Sequence, residues 1–217
     1  MSAGPAAQAP PAAALRIGLT GGIGSGKSTA ARLLVACGGH LVDTDAIARS
    51  LTHSGGAAMP GLIAAFGRQA VAADGALDRD FMRRLAFTDA GAKARLEAIL
   101  HPMIGLEALR QSAAGAGRPV IYDVPLLAES QGARSWRARV DRVLVIDCAE
   151  ATQVARVAAR PGWTEDAARR VLAQQATRER RRAVADAVIF NEGLDLAQLE
   201  VDVRALWAFW VGSTVSP

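Results

Sequence analysis

Residues Gly21-Gly22-Ile23-Gly24-Ser25-Gly26-Lys27-Ser28-Thr29 follow the apolar run Leu15-Arg16-Ile17-Gly18-Leu19 and fill every position of the pattern G-x-x-x-x-G-K-[ST]. Glycines at these points let a loop wrap its backbone N–H groups around phosphate oxygens, because no Cβ blocks the approach or the unusual φ values required. A helix opening near Lys27 adds its positive end to the same place. The spacing predicts a nucleoside triphosphate site in which Lys27 places an ammonium on the outer phosphates and the Ser28 hydroxyl ligates Mg²⁺. The only lysines are Lys27 and Lys93, and arginine supplies every other fixed cation. A lysine kept where arginine is the default fits a site that wants a compact point charge rather than a planar fork.

A bound triphosphate does not make a kinase, since switch GTPases and mechanical ATPases use the same loop. An acceptor site discriminates, and Asp43-Thr44-Asp45 supplies a candidate directly after a second short apolar run. In an extended segment the two carboxylates point the same way. Asp45 then reads as the general base for a substrate hydroxyl, and Asp43 as its structural or metal-water partner. The alternative, in which both only cap a helix starting at Ala46, stays open. No N-K-x-D-like segment for guanine is present. Arg156 and Arg160 lie four apart on one predicted helical face, and Arg160, just before Pro161-Gly162, is the first candidate for a lid cation over the moving phosphoryl group. A solvated arginine-rich face is the competing reading. Arg178, Arg180, Arg181 and Arg182 cannot all converge on one ligand; most of that run reads as solvated, with Arg178 and Arg181 close enough to share a phosphate.

The elements that must position these residues follow from the apolar pattern. Leu15–Thr20, His40–Asp43, 119–123, 142–147 and 187–191 read as strands, and their continuous rather than alternating apolar character suits a parallel sheet covered on both faces. Helical segments between them make an α/β fold. About seventy residues between the second and third strands read as an inserted helical subdomain, opened by the Ser54-Gly55-Gly56 linker. The stretch from Ala149 to Asp186, broken at Pro161-Gly162, reads as two helices with a hinge, a mobile lid. Leu196, Leu199, Val203, Leu206, Trp207 and Trp210 predict an amphipathic closing helix packed on the sheet.

A chain of 217 residues that is 51% apolar has the means to bury a full core. The net charge of +4 favours anionic partners without choosing among them. No aromatic-basic pattern or zinc-finger spacing appears, which argues against nucleic acid as the partner. Cys37 and Cys148 read as two buried thiols in a reducing compartment. Residues 1–14 read as a disordered Ala/Pro tail and not as a signal peptide, and no apolar run reaches membrane-spanning length, so the expected location is cytoplasmic.

Taken in order, Gly18 to Thr29, Asp43-Thr44-Asp45 with Ile47-Ala48-Arg49, Leu77-Asp78-Arg79, Leu100-His101-Pro102-Met103-Ile104, Val124 to Glu129, Gln153 with Arg156 and Arg160, and Ala185-Asp186 before Asn191 closely resemble the dephospho-coenzyme A kinase family. The resemblance implies ATP-dependent phosphorylation of the ribose 3′-hydroxyl of dephospho-coenzyme A, the last step of coenzyme A synthesis. It implies a P-loop, nucleoside-monophosphate-kinase-like core with a five-stranded parallel sheet of order 2-3-1-4-5, here residues 15–50 and 118–212. It also implies a helical coenzyme A-binding insertion over 55–117 and a lid at about 153–182. Carried over residue by residue, Gly24, Ser25, Gly26, Lys27, Ser28 and Thr29 hold ATP, Asn191 lies near the adenine, Ser28 and Asp43 serve Mg²⁺, and Asp45, Lys27 and Arg160 act in catalysis. A metal role for Asp123 is doubtful on this basis. His101 reads equally as a substrate contact and as a cap before Pro102, and Glu129 as a loop-orienting group rather than one that performs chemistry.

Overall fold

A computed structural model describes residues 14–129 and 135–212. The expected tail over 1–14 lies outside them except for its last residue. Strands β1 (Arg16–Gly21), β2 (His40–Asp43), β3 (Val120–Asp123), β4 (Arg142–Asp147) and β5 (Ala187–Phe190) pair in parallel in the order β2-β3-β1-β4-β5. Period-2 alternation sends the apolar residues of β2, β3 and β4 to two separate cores, whereas the edge strand β5 buries Ile189 on one side and leaves Val188 and Phe190 exposed on the other. Val42, Val120, Tyr122, Val143 and Val145 face one core with Ile47, Leu62 and Met82. Ile17, Leu19, Ile121, Leu144 and Ile146 face the other with Leu34, Leu199 and Val203. Two buried faces explain why these runs carry no polar alternation.

Helix α1 (Lys27–Ala36) and the closing helix over 196–212 cover the second face. Between β2 and β3 come α2 (Thr44–Thr52), α3 (Met59–Phe66), α4 (Arg79–Thr88) and α5 (Ala92–Ala113). Pro102 lies inside α5 and not in a first helical turn, so the capping reading of His101 does not hold. An internal proline loses one backbone hydrogen bond. Leu96, Ile99, Leu100, Met103 and Ile104 of the same helix pack against the core and hold the helix together across it.

After β4 come α6 (Glu150–Ala158), α7 (Glu165–Gln174) and α8 (Arg178–Ala183), three helices where the sequence suggested two. The break between α7 and α8 has no glycine or proline to announce it; Thr177 caps α8 instead, its hydroxyl accepting from Arg180 N–H. Helix α9 (Leu196–Gly212) buries Leu199, Val203 and Trp210 and packs Leu206 and Trp207 against the same core, but Leu196, expected in the stripe, is 62% exposed. Cys148 is buried, but Cys37 is only half-buried. Among the described residues no helix is long and apolar enough to cross a membrane.

Candidate active site

The strand order sets side chains of known type along the carboxyl edge of the sheet, where open parallel sheets bind ligands. Asp43, Asp123 and Asp147 end β2, β3 and β4, the glycine loop leaves β1 between the last two, and Asn191 follows β5.

Gly24 and Gly26 carry φ values of 78° and 96°, left-handed conformations that only glycine adopts cheaply. Residues that follow β4 and β5 hold this loop by its backbone groups. The Ile23 carbonyl accepts from Gln153 Nε2 at 2.8 Å, and the Ile23 N–H donates to Gln175 Oε1 at 2.9 Å. The Ser25 carbonyl accepts from Asn191 Nδ2 at 2.8 Å, and the Ser25 N–H donates to Gly22 O at 3.1 Å. Among the described residues, the N–H groups of Gly24, Gly26, Lys27 and Ser28 have no acceptor in the protein. Four unpaired donors at one helix start make an oxyanion site by their chemistry alone.

Lys27 Nζ is ion-paired with Asp123 Oδ1, and both side chains are largely buried. Burial pushes the Asp123 carboxyl up, and Asp43 and Asp45 push it the same way, against the opposing pull of Lys27. Asp43 and Asp45 thus lie within electrostatic reach of Asp123, the carboxylate paired with the lysine that the loop motif assigns to phosphate.

Asp43 and Asp45 do not share an extended segment. The strand stops at Asp43, which caps α2 by accepting from Ala46 N–H at 2.8 Å and pairs with Arg49 at 3.6 Å. Asp45 sits exposed in the first helical turn, with its carboxylate on the positive end of the helix. The two carboxylates therefore differ in environment: one is committed to a cap and the other is open to solvent.

Arg156 and Arg160 do not share a helical face either. Helix α6 ends at Ala158, since the residue before Pro161 is disfavoured in helical conformation. Arg156 reaches inward to the Asn191 carbonyl at 3.1 Å and the Gly24 carbonyl at 3.5 Å. Arg160 is exposed beyond the helix end. The α8 arginines are less solvated than expected. Arg178 and Arg182 both bind Asp147, which is 2% exposed, at 2.8 Å and 2.6 Å, and both lie over the Phe190 ring. Burial raises the Asp147 carboxyl, but the hydrogen bonds and charges of these two arginines outweigh it and leave the group below the usual carboxylate range. Arg181 is buried beside Gly22. Asn191, expected near the adenine, is 5% exposed and bonded to the loop. Glu129 orients the loop before α8, accepting from Ala176 N–H at 2.7 Å.

Residues 15–196 match the family model described as dephospho-CoA kinase. A dephospho-CoA kinase from Bordetella parapertussis is 53% identical over 178 residues, covering 82% of each chain. The chain belongs to the dephospho-CoA kinase family. Among solved structures, a Thermus thermophilus protein superposes with a TM-score of 0.74 at 27% identity, over 94% of this chain and 100% of the other. A dephospho-CoA kinase from Campylobacter jejuni, 20% identical, shares the fold with a TM-score of 0.60 over 92% and 96% of the two chains. The protein is thus a phosphotransferase of coenzyme A biosynthesis that uses ATP to convert dephospho-CoA into coenzyme A.

In this dephospho-CoA kinase fold the loop residues, Lys27 and Asp43 lie at one edge, and Asn191, expected near the adenine, joins them there by bonding the Ser25 carbonyl. Gln153, Gln175 and Asp147 join them without having been singled out for a role at the loop. Gln153 had a visible signal: it stands on the same stripe of α6 as the buried Val154 and Val157, where an apolar residue belongs. Gln175 had none, because it lies in a short connection.

Proposed function

We propose that the γ-phosphoryl group moves from ATP on the glycine loop to the ribose 3′-hydroxyl of dephospho-CoA, with Asp45 receiving the hydroxyl proton. The open carboxylate of Asp45, on the strand-to-helix turn next to β3, supports that role, while Asp43 is occupied by its cap. Lys27 exchanges Asp123 for phosphate oxygens when ATP binds, and its charge then offsets the negative charge that gathers on the transferring group. Arg160, exposed beside the Pro161-Gly162 bend, is free to close over the same group.

No cluster of three metal-ligating side chains occurs among the described residues, so the donor set suits Mg²⁺ carried mainly on phosphates and waters, with Ser28 as its protein ligand and Asp43 at most acting through water. When bound, the ion neutralises charge on the β- and γ-oxygens. For the remainder of the acceptor, a groove of about 330 Å³ runs along α2 from Ala48 to Thr52 and is floored by Leu77, Met82 and Leu96. Arg79, Arg83 and Lys93 line it as well. An apolar floor with a cationic rim suits a pantetheine arm joined to a diphosphate. The reaction needs neither a nucleic acid nor a membrane partner, and a cytoplasmic setting accords with that chemistry.

The observation that carries this reading is the set of four unpaired loop N–H groups beside Lys27, one strand away from the helix that bears Asp45. A coupled ADP-release assay with Mg²⁺-ATP and dephospho-CoA, shikimate or AMP as acceptor tests it. Turnover with dephospho-CoA alone is expected; turnover with another acceptor and none with dephospho-CoA contradicts it.

A further inference from the structure

The free donors of the loop need something to aim them. A trans peptide keeps its C=O and its N–H in one plane and pointing in opposite directions, and none of the described peptides is cis. Fixing the carbonyl of one residue therefore fixes the direction of the next residue's N–H. The carbonyl held by Gln153 belongs to Ile23, whose peptide carries the Gly24 N–H. The carbonyl held by Asn191 belongs to Ser25, whose peptide carries the Gly26 N–H. Both of those N–H groups are among the four without an acceptor in the described protein.

The two holders are built in tightly. Gln153 is 1% exposed and Asn191 5%. A Cβ on Gly24 would lie 2.6 Å from the Gln153 carbonyl oxygen, and one on Gly26 would lie 2.3 Å from Asn191 Nδ2. Gln153 Oε1 is buried with no partner. A buried amide that leaves one end unpaired costs free energy, so packing alone does not account for a glutamine on an apolar stripe. Its single donated bond is the one that sets the Ile23 peptide. Gln175 holds the other side of the same residue through the Ile23 N–H.

We propose that Gln153 and Asn191 are positioning residues for phosphoryl transfer, each turning one loop peptide so that its N–H faces the phosphates, neither touching the nucleotide. The proposal rests on the reading that the loop grips ATP phosphates. Calorimetric titration of ADP and AMP into the full-length protein separates the two, because AMP lacks the phosphate that the loop would grip. Wild type is expected to prefer ADP. Gln153→Met and Asn191→Leu should each lose about tenfold to a hundredfold of that preference while AMP affinity stays within about twofold, as expected for the loss of a hydrogen bond to a charged group. A preference retained in folded variants, or an equal loss for both nucleotides, overturns the proposal. A wild type with no preference overturns the phosphate reading instead. In wild type, the Gly24 and Gly26 amide proton resonances should also shift downfield with ADP and not with AMP; unmoved resonances in a wild type that prefers ADP overturn the proposal independently of any variant.

Discussion

The environments of Asp43 and Asp45 predict that the two carboxylates fail in opposite ways when removed. Asp43 accepts the Ala46 N–H at the cap of α2 and pairs with an Arg49 whose side chain is 56% exposed. Asp43→Ala removes an N-cap, worth about 1 kcal/mol, and an exposed ion pair worth about half that or less. In a domain of this size the sum lowers Tm by roughly 2–6 °C. Asp43→Asn keeps a good cap and should leave Tm nearly unchanged. Asp45 caps nothing, so Asp45→Asn should hold Tm and reduce kcat by about a hundredfold to ten-thousandfold, the usual contribution of a general base. Thermal melts followed by circular dichroism and a coupled ADP-release assay on the same preparations read both effects. Should Asp43→Asn reduce kcat as far as Asp45→Asn at equal Tm, the assignment of the proton to Asp45 is wrong.

Lys27→Met should lower kcat by about a hundredfold or more, since it removes a cation from the transferring group. The same change strands the buried Asp123, whose folded-state pKa is already raised by burial; the variant's stability deficit in urea relative to wild type should be smallest in acid and grow as pH rises above the unfolded value of about 4 towards the raised folded value, where a flat deficit contradicts the burial argument. Asp147 has a lowered pKa, so its contribution is present above the unfolded value and disappears as pH falls through the folded one. Asp147→Asn should cost about 1–2 kcal/mol at pH 7, because both arginines keep solvent contact, and progressively less as pH falls below the unfolded value of about 4; a deficit that does not shrink in acid refutes the ion-pair account. Arg160→Ala should lower kcat more than it weakens ATP binding in steady-state kinetics and titration, and an unchanged kcat returns Arg160 to a solvated surface.

The sheet was legible because its strands are short apolar runs between turns, and a parallel sheet buried on both faces leaves no other use for Val143-Leu144-Val145-Ile146. The loop was legible because G-x-x-x-x-G-K-[ST] concentrates its chemistry in consecutive residues. What lay beyond the sequence was side-chain commitment across long separations. Asp147 meets Arg178 and Arg182 more than thirty positions away, and Gln153 meets Ile23 across 130; neither pairing leaves a periodic trace. Local geometry also overrode simple spacing. Arg156 and Arg160 are four apart, yet Pro161 ends the helix between them, and Asp43 and Asp45 are two apart, yet a helix begins between them. The inward turn of Arg181 depends on the break before α8, which depends in turn on a threonine cap.

A crystal structure with Mg²⁺, a non-hydrolysable ATP analogue and dephospho-CoA tests the central claim most directly. The account predicts the ribose 3′-oxygen within hydrogen-bonding reach of the Asp45 carboxylate, about 3 Å, in line with the γ-phosphorus, and Lys27 moved from Asp123 onto phosphate oxygens. A different hydroxyl facing the γ-phosphate, or Lys27 still on Asp123 with the loop N–H groups empty, contradicts it.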